Sequence, residues 1–269
     1  MQHMANENIA LLLPRRANDW HHAFISQNIA IDVAISSASR EANYFFPLYL
    51  YIETDKPKKK SRSFGGAFML FEANEPYTIK KPNISESIIQ ILLSTYGKQP
   101  TPEEIFFYIY AVLYSSVYRT KYAEFLKIDF PRIPFTRDYK LFSKIAGYGK
   151  RLVDLHLLKA PDIEPPIVSF HGKGNYKVEK LRYGQEKLYI NKDQYFENIA
   201  PEVWEYRIGG YQVCDKWLKD RKGRTLSLDE IKIYCKIVTS LQKTIEIQKV
   251  IDEIYPEVEA DIIEYVKRD

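Results

Sequence analysis

Residues 117–135, VYRTKYAEFLKIDFPRIPF, carry the pattern on which the fold turns. Tyr118, Tyr122, Phe125 and Leu126 recur at helical spacing, so the segment opens as an amphipathic helix. Pro131 and Pro134 then stop it. Proline has no N–H to give, and it pushes the residue before it out of helical geometry. Nothing in the stretch pairs a nucleophile with a base. An aromatic helix running into a proline-stiffened connector reads as scaffold.

Helices surround this stretch. Upstream, TPEEIFFYIYAVLYSS (101–116) has Thr101 as N-cap, Pro102 at the first helical position and two glutamates in the first turn. It is nearly all apolar and should be buried. Before it, KKPNISESIIQILLSTYG (80–97) offers Ser85 as N-cap, an apolar face at Ile88, Ile89, Leu92 and Leu93, and Gly97 as C-cap. SSVYRTKYAEFLKIDF (115–130) reads as one helix. FTRDYKLFSKIAGYGKRLVDLHLL (135–158) reads as another, with Phe142, Ile145, Leu152 and Leu155 inward. The C-terminal part reads as helix at 201–223. A capping box of Ser227 and Glu230 then starts a helix of about twenty residues or more.

Strands are expected in two places. Residues 8–52 are mostly short apolar or alternating runs, AFMLFE (67–72) adds one more, and Ile167 to Ile199 holds four short runs split by turn signals. The class is therefore α+β: two small β regions around a helical core, closed by a long C-terminal helix. Residues 1–165 would hold the first β region and the helical core. Residues 166–269 would hold the second β region and the C-terminal helices of the same unit.

The 269 residues carry a net charge of +4, too little for charge alone to imply nucleic-acid binding. Tyrosine stands out, with 21 against 11 glycines, and a tyrosine ring joins a rigid apolar face to a polar tip. Two cysteines, Cys214 and Cys235, without metal spacing fit a reduced, cytoplasmic setting. No apolar run is long enough to span a membrane. The abrupt start, with NIALLLP at 8–14, suggests a piece of a longer polypeptide.

Catalytic motifs fail one by one. HGKGN (171–175) has neither the spacing nor the helix of a phosphate-binding loop. EPPI (164–167) lacks the Asn and aromatic ring of an amino-methyltransferase loop. His21 and His22 are adjacent and would point to opposite faces of a strand. His156, among leucines, reads as a core histidine. Asp162 with Glu230 and Lys232 can be forced into a Mg²⁺-nuclease pattern, but Glu230 already serves a cap. Three basic patches remain: Lys56, Lys58, Lys59, Lys60 and Arg62 in the loop at 54–66, the segment 172–184, and KWLKDRKGR (216–224).

The opening stretch, with PLYLY (47–51), KKPNIS (80–85), EEIFFYIYAVLYSSVYR (103–119), GKRLVDLHLL (149–158), YKVEKLRY (176–183) and GGYQVCDKWLKDRKGRTLS (209–227), resembles the C-terminal specificity region of Type ISP and related fused restriction–modification enzymes. The resemblance runs in order from about Asn8 to Tyr255. It implies a non-catalytic target-recognition domain for double-stranded DNA. Nuclease, helicase and N6-adenine methyltransferase domains would lie elsewhere in the parent, with S-adenosylmethionine and Mg²⁺ there and no cofactor here. A docking or spacer module of the same enzyme is the alternative. The resemblance does not name the reading residues. Charge and exposure suggest Arg15, Arg16, Lys58, Lys59, Lys60, Arg62, Lys173, Asn175, Lys177, Lys180 and Arg182 as DNA contacts.

Overall fold

A computed structural model describes residues 2–15, 23–29, 43–54, 77–208 and 210–264. His21, His22, the AFMLFE segment and the basic loop after Thr54 lie outside them.

The architecture is α+β. Strands β1 (Ala10–Pro14), β2 (Phe24–Ser26) and β3 (Asn43–Pro47) form an antiparallel sheet in the order β2-β1-β3. Alternation sends Leu11 and Leu13 into the main core, and Ala10 and Leu12 toward Met4, Phe24 and Phe45 on the other face. Strands β4 (Tyr49–Thr54) and β5 (Tyr77–Pro82) pair separately.

Helix α1 (Glu86–Tyr96) ends as expected on Gly97, whose φ of 69° is left-handed and whose N–H reaches Leu93 O at 2.9 Å. Ser85 takes the N-cap position, but its hydroxyl bonds to Ser87 rather than to the helix. Helix α2 (Pro102–Tyr114) starts on a complete capping box between Thr101 and Glu104. The helix expected over 115–130 is instead two pieces, α3 (Ser116–Lys121) and α4 (Ala123–Leu126), broken at Tyr122. The cause is tertiary. The Tyr118 hydroxyl donates to Arg132 O at 3.0 Å, and so holds the connector folded back on α3.

Two more tyrosines do the same for the connector. Tyr108 donates to Pro134 O at 2.8 Å, and Tyr96 donates to Thr136 O at 2.7 Å. Only the end of this run pairs with another segment, where Ile263 N–H bonds Phe135 O at 2.8 Å and Thr136 bridges Ile262, so its other buried carbonyls need side-chain donors. Three hydroxyls from α1, α2 and α3 supply them at alternate residues. Phe135 stacks on Tyr108 at 5.0 Å and so fills the space beneath.

Helix α5 (Tyr139–His156) buries Phe142, Ile145, Leu152 and Leu155, as its periodicity predicts. It crosses α2 almost backbone to backbone. A Cβ on Gly149 would lie 1.8 Å from Phe107 O.

The second β region is a four-stranded antiparallel sheet of β6 (Ser169–His171), β7 (Arg182–Gly184), β8 (Lys187–Tyr189) and β9 (Tyr195–Glu197), in the order β6-β9-β8-β7. Next come α6 (Pro201–Trp204), a small hairpin of β10 (Arg207–Ile208) and β11 (Tyr211–Gln212), and α7 (Val213–Lys219). The hairpin replaces the helix expected through 201–223. The glycine pair at 209–210, between short β-prone runs, was the signal for it. Helix α8 (Leu228–Ala260) starts on the expected Ser227–Glu230 box and runs 33 residues, roughly 50 Å.

Buried side chains form two main clusters, and α8 belongs to both. Ile231, Tyr234, Val238 and Leu241 enter the cluster beneath the four-stranded sheet. Ile247, Ile251, Ile254 and Tyr255 enter the cluster around α2 and α5. His156 sits at the crossing, its Nδ1 2.7 Å from the Tyr110 hydroxyl and its Nε2 3.0 Å from Thr244 Oγ1. It is a satisfied core histidine, and burial pushes its pKa down to about 4. No helix among the described residues is long and apolar enough to cross a membrane.

Gly149→Ala should cost about 1–3 kcal/mol by overpacking. Gly147→Ala, exposed on the same helix with open space around it, should gain up to about 1 kcal/mol. Denaturant titration of both variants checks this. His156 is neutral when folded but protonates near 6.5 when unfolded, so the unfolded state binds more protons below that value. Its contribution is complete above pH 6.5 and is lost toward pH 4, by roughly 3 kcal/mol. A His156→Gln variant should lack that part of the acid sensitivity in denaturation curves taken across this range.

Candidate nucleic-acid interface

The four-stranded sheet has one buried and one outward face. Phe170, Tyr183, Leu188 and Phe196 turn inward, and Phe196 meets Tyr234 of α8 at 4.4 Å. Outward, the register aligns His171, Tyr195, Tyr189 and Arg182 in one row across all four strands. The His171 and Tyr195 rings stack at 5.6 Å, Tyr195 and Tyr189 lie 5.0 Å apart, and the Arg182 guanidinium sits 4.4 Å over Tyr189. The sequence reading singled out only Arg182 from this row. The signal for the others is the alternation in KLYI (187–190) and QYFE (194–197), which sets both tyrosines opposite Leu188 and Phe196.

The segment 172–181 that leads into this sheet is mostly extended without a ladder. Val178 N–H bonds Arg224 O at 2.9 Å, Gly223 N–H bonds Val178 O at 2.7 Å, and Leu226 N–H bonds Tyr176 O at 3.0 Å. Two of the three basic patches are therefore one surface. HGKGN has a structural explanation here. Gly172, with φ 100°, lies so close to the 191–194 turn that a Cβ would meet Asp193 O at 2.0 Å. Asn175 closes a turn by accepting from Lys177 N–H at 3.0 Å, and Gln194 accepts from Tyr176 N–H at 2.8 Å.

Charge divides this joined surface unevenly. In the 216–224 part, Lys216 pairs with Asp220, Lys219 with Asp215 at 2.6 Å, and both Arg221 and Arg224 with Glu230 at 3.2 Å. Glu230 also completes its capping box. The Ser227 N–H, and then the arginines, hold its carboxyl below the usual range. Asp162 is engaged with Arg151 at 2.8 Å and Lys243 at 3.2 Å. Both acids of the nuclease pattern thus have structural work. No group of three His, Cys, Asp or Glu placed to hold a metal ion occurs among the described residues.

By contrast, Lys173, Lys177, Lys180 and Arg182 are exposed and have no acidic partner among the described residues. Lys187 differs. It pairs with Glu197 at 2.9 Å, and that hydrogen bond lowers the Glu197 pKa. Arg15 lies with the other cluster, half exposed and bonded to Asp129 at 3.0 Å. Arg16, Lys58, Lys59, Lys60 and Arg62 fall outside the described residues.

Comparison with known proteins gives the geometry a family. No curated protein sequence matches the chain. Solved structures with the same fold include the ATP-dependent Type ISP restriction–modification enzyme LlaBIII bound to DNA, at 18% identity and a TM-score of 0.64. A nuclease-deletion mutant of the Type ISP enzyme LlaGI in complex with a DNA substrate mimic matches at 18% and 0.58. A DrdV–DNA complex matches at 17% and 0.65. These alignments cover 91%, 91% and 92% of this chain but only 16%, 18% and 24% of the respective chains. The sequence model of the Type ISP C-terminal specificity domain matches residues 1–250, and the chain belongs to that family.

Proposed function

We propose that this domain binds and reads the DNA target of a restriction–modification polypeptide and does no chemistry itself. The observation that carries the reading is the set of exposed cations Lys173, Lys177, Lys180 and Arg182, unpaired with acids among the described residues, of which Arg182 stands in the outward row of the sheet. Cations without acid partners are available to phosphates, and replacing a phosphate's counterions is the main source of affinity for DNA. Arg182, set on the Tyr189 ring, has lost part of its side-chain freedom before any ligand arrives.

On this reading methylation and cleavage belong to other parts of the parent polypeptide. S-adenosylmethionine and Mg²⁺ would act there, with the whole enzyme in the cytoplasm. Residues 1–165 and 166–269 work as one specificity unit, because α8 is shared between their cores.

A second reading has its own observation. Phe125 and Ile128, in and just after α4, are 63% and 65% exposed. A domain whose main task is to dock a neighbouring domain would present such a pair.

Salt dependence separates the two. Fluorescence anisotropy with a random-sequence duplex between about 50 and about 200 mM salt should give a log–log slope of roughly −2.7 to −3.6, for three or four phosphate contacts. Lys177→Ala should flatten it by about 1 and weaken all sequences alike. Lys219→Ala should leave it unchanged, because Asp215 already neutralises that charge. A slope near zero would favour docking.

A further inference from the structure

The β7–β8 hairpin turns on Gln185 and Glu186, and both adopt left-handed backbone, with φ of 53° and 57°. Two such residues in a two-residue loop make a type I′ turn, which suits the twist of paired strands and normally takes Asn-Gly or another glycine pair. Here neither residue is glycine. Both side chains are exposed, and neither has a hydrogen-bond or ion-pair partner among the described residues. The strain is held from behind. Ile199 N–H donates to Glu186 O at 3.0 Å, the Tyr183 hydroxyl donates to Ile199 O at 2.8 Å, and the Tyr183 ring stacks on Trp204 at 4.7 Å. A rigidly braced turn that keeps two long polar side chains out in solvent is a place to look for recognition.

Resting on the target-recognition reading above, we propose that this tip enters the major groove and that Gln185 and Glu186 read base edges. β8 is also paired with β9 as far as Lys187 and Glu197, so the side chains of the turn, and not a free ribbon, would reach into that groove, which is about 12 Å wide and about 8.5 Å deep. Arg182 lies three residues behind Gln185, roughly 10 Å along a strand, so side chains of the turn directed at the base edges would leave Arg182 near the phosphates.

Glu186 carries the specific content. The phosphate backbone repels a carboxylate, which can accept only from exocyclic amines of the bases. In the major groove these are cytosine N4 and adenine N6, and cytosine offers its donor without an adjacent N7 acceptor. Glu186 therefore selects cytosine. The Gln185 amide both donates and accepts, which matches the N6 and N7 edge of adenine.

The test selects from a randomised duplex pool with the full chain and sequences what binds. Two variants are compared with the unaltered chain. The double change Gln185→Asn with Glu186→Gly keeps the type I′ turn, relieves its strain and should melt no lower. Glu186→Gln keeps the size and removes the charge. The unaltered chain should enrich a motif containing cytosine. The double variant should hold total pool binding within about twofold while enrichment at one or two positions falls roughly tenfold or more. Glu186→Gln should move the preference at its position from cytosine to adenine. A motif unchanged in both variants overturns the proposal. So does a uniform loss across all sequences, which would place the tip on phosphates. If the unaltered chain enriches nothing, the target-recognition reading falls and this proposal with it; an enriched motif indifferent to both variants sinks the proposal alone.

Discussion

Neither core of this protein closes without α8, because one helix supplies a wall to each. Its first half packs Tyr234 against Phe196 and Trp217 beneath the sheet, and its second half packs Ile251, Ile254 and Tyr255 against the α2–α5 layer. Where it passes from one to the other, polar contacts replace apolar ones. Ser240 donates to Leu155 O at 2.9 Å, and His156 bridges Tyr110 and Thr244. Directional bonds at a buried crossing fix the helix along its own axis, as apolar packing alone does not. The relative placement of the two β regions follows from that register. α8 also fastens α3: Asp252 accepts from the hydroxyls of Ser115 and Ser116 and from the Ser116 N–H at 2.7 Å.

The abundance of tyrosine has a structural use. Tyr96, Tyr108 and Tyr118 combine burial of a ring with donation to a connector carbonyl, so each fills the core and satisfies a polar group at once. Phenylalanine would fill the same space and leave an acceptor dry. The PRIPF run is thereby held as a fixed strut between α4 and α5, and α5 is free to approach α2 as closely as Gly149 allows. On the outward sheet face tyrosines do something else. Tyr189 and Tyr195 lie under the cations Arg182 and Lys187, at 4.4 and 4.9 Å, and set where those charges stand.

The described part of the second region sorts its charges by neighbourhood rather than by number. Nine residues at 216–224 look more basic than 172–184, yet four of their five cations are spent on Asp215, Asp220 and Glu230, and Lys222 alone has no acidic partner among the described residues. The second patch keeps its cations unpaired. A modest net charge is compatible with a local excess of unpaired cations, here Lys173, Lys177, Lys180 and Arg182 against the single acid Glu179 within 172–184.

Much of the scaffold was legible locally. Thr101–Glu104, Ser227–Glu230 and Gly97 mark their helix ends through bonds made within a few residues, and the inward positions of α5 follow from its period alone. The ordered blocks from Asn8 to Tyr255 also carried the family resemblance, since composition and spacing along the chain are all it needs. The break at Tyr122, the pairing of 176–178 with 223–226, the row from His171 to Arg182 and the division of cations into neutralised and unneutralised were decided only in the tertiary structure. Each depends on a hydrogen bond, a strand register or an ion pair between chain segments that no local period relates. Such contacts form only where the closed fold brings those segments together.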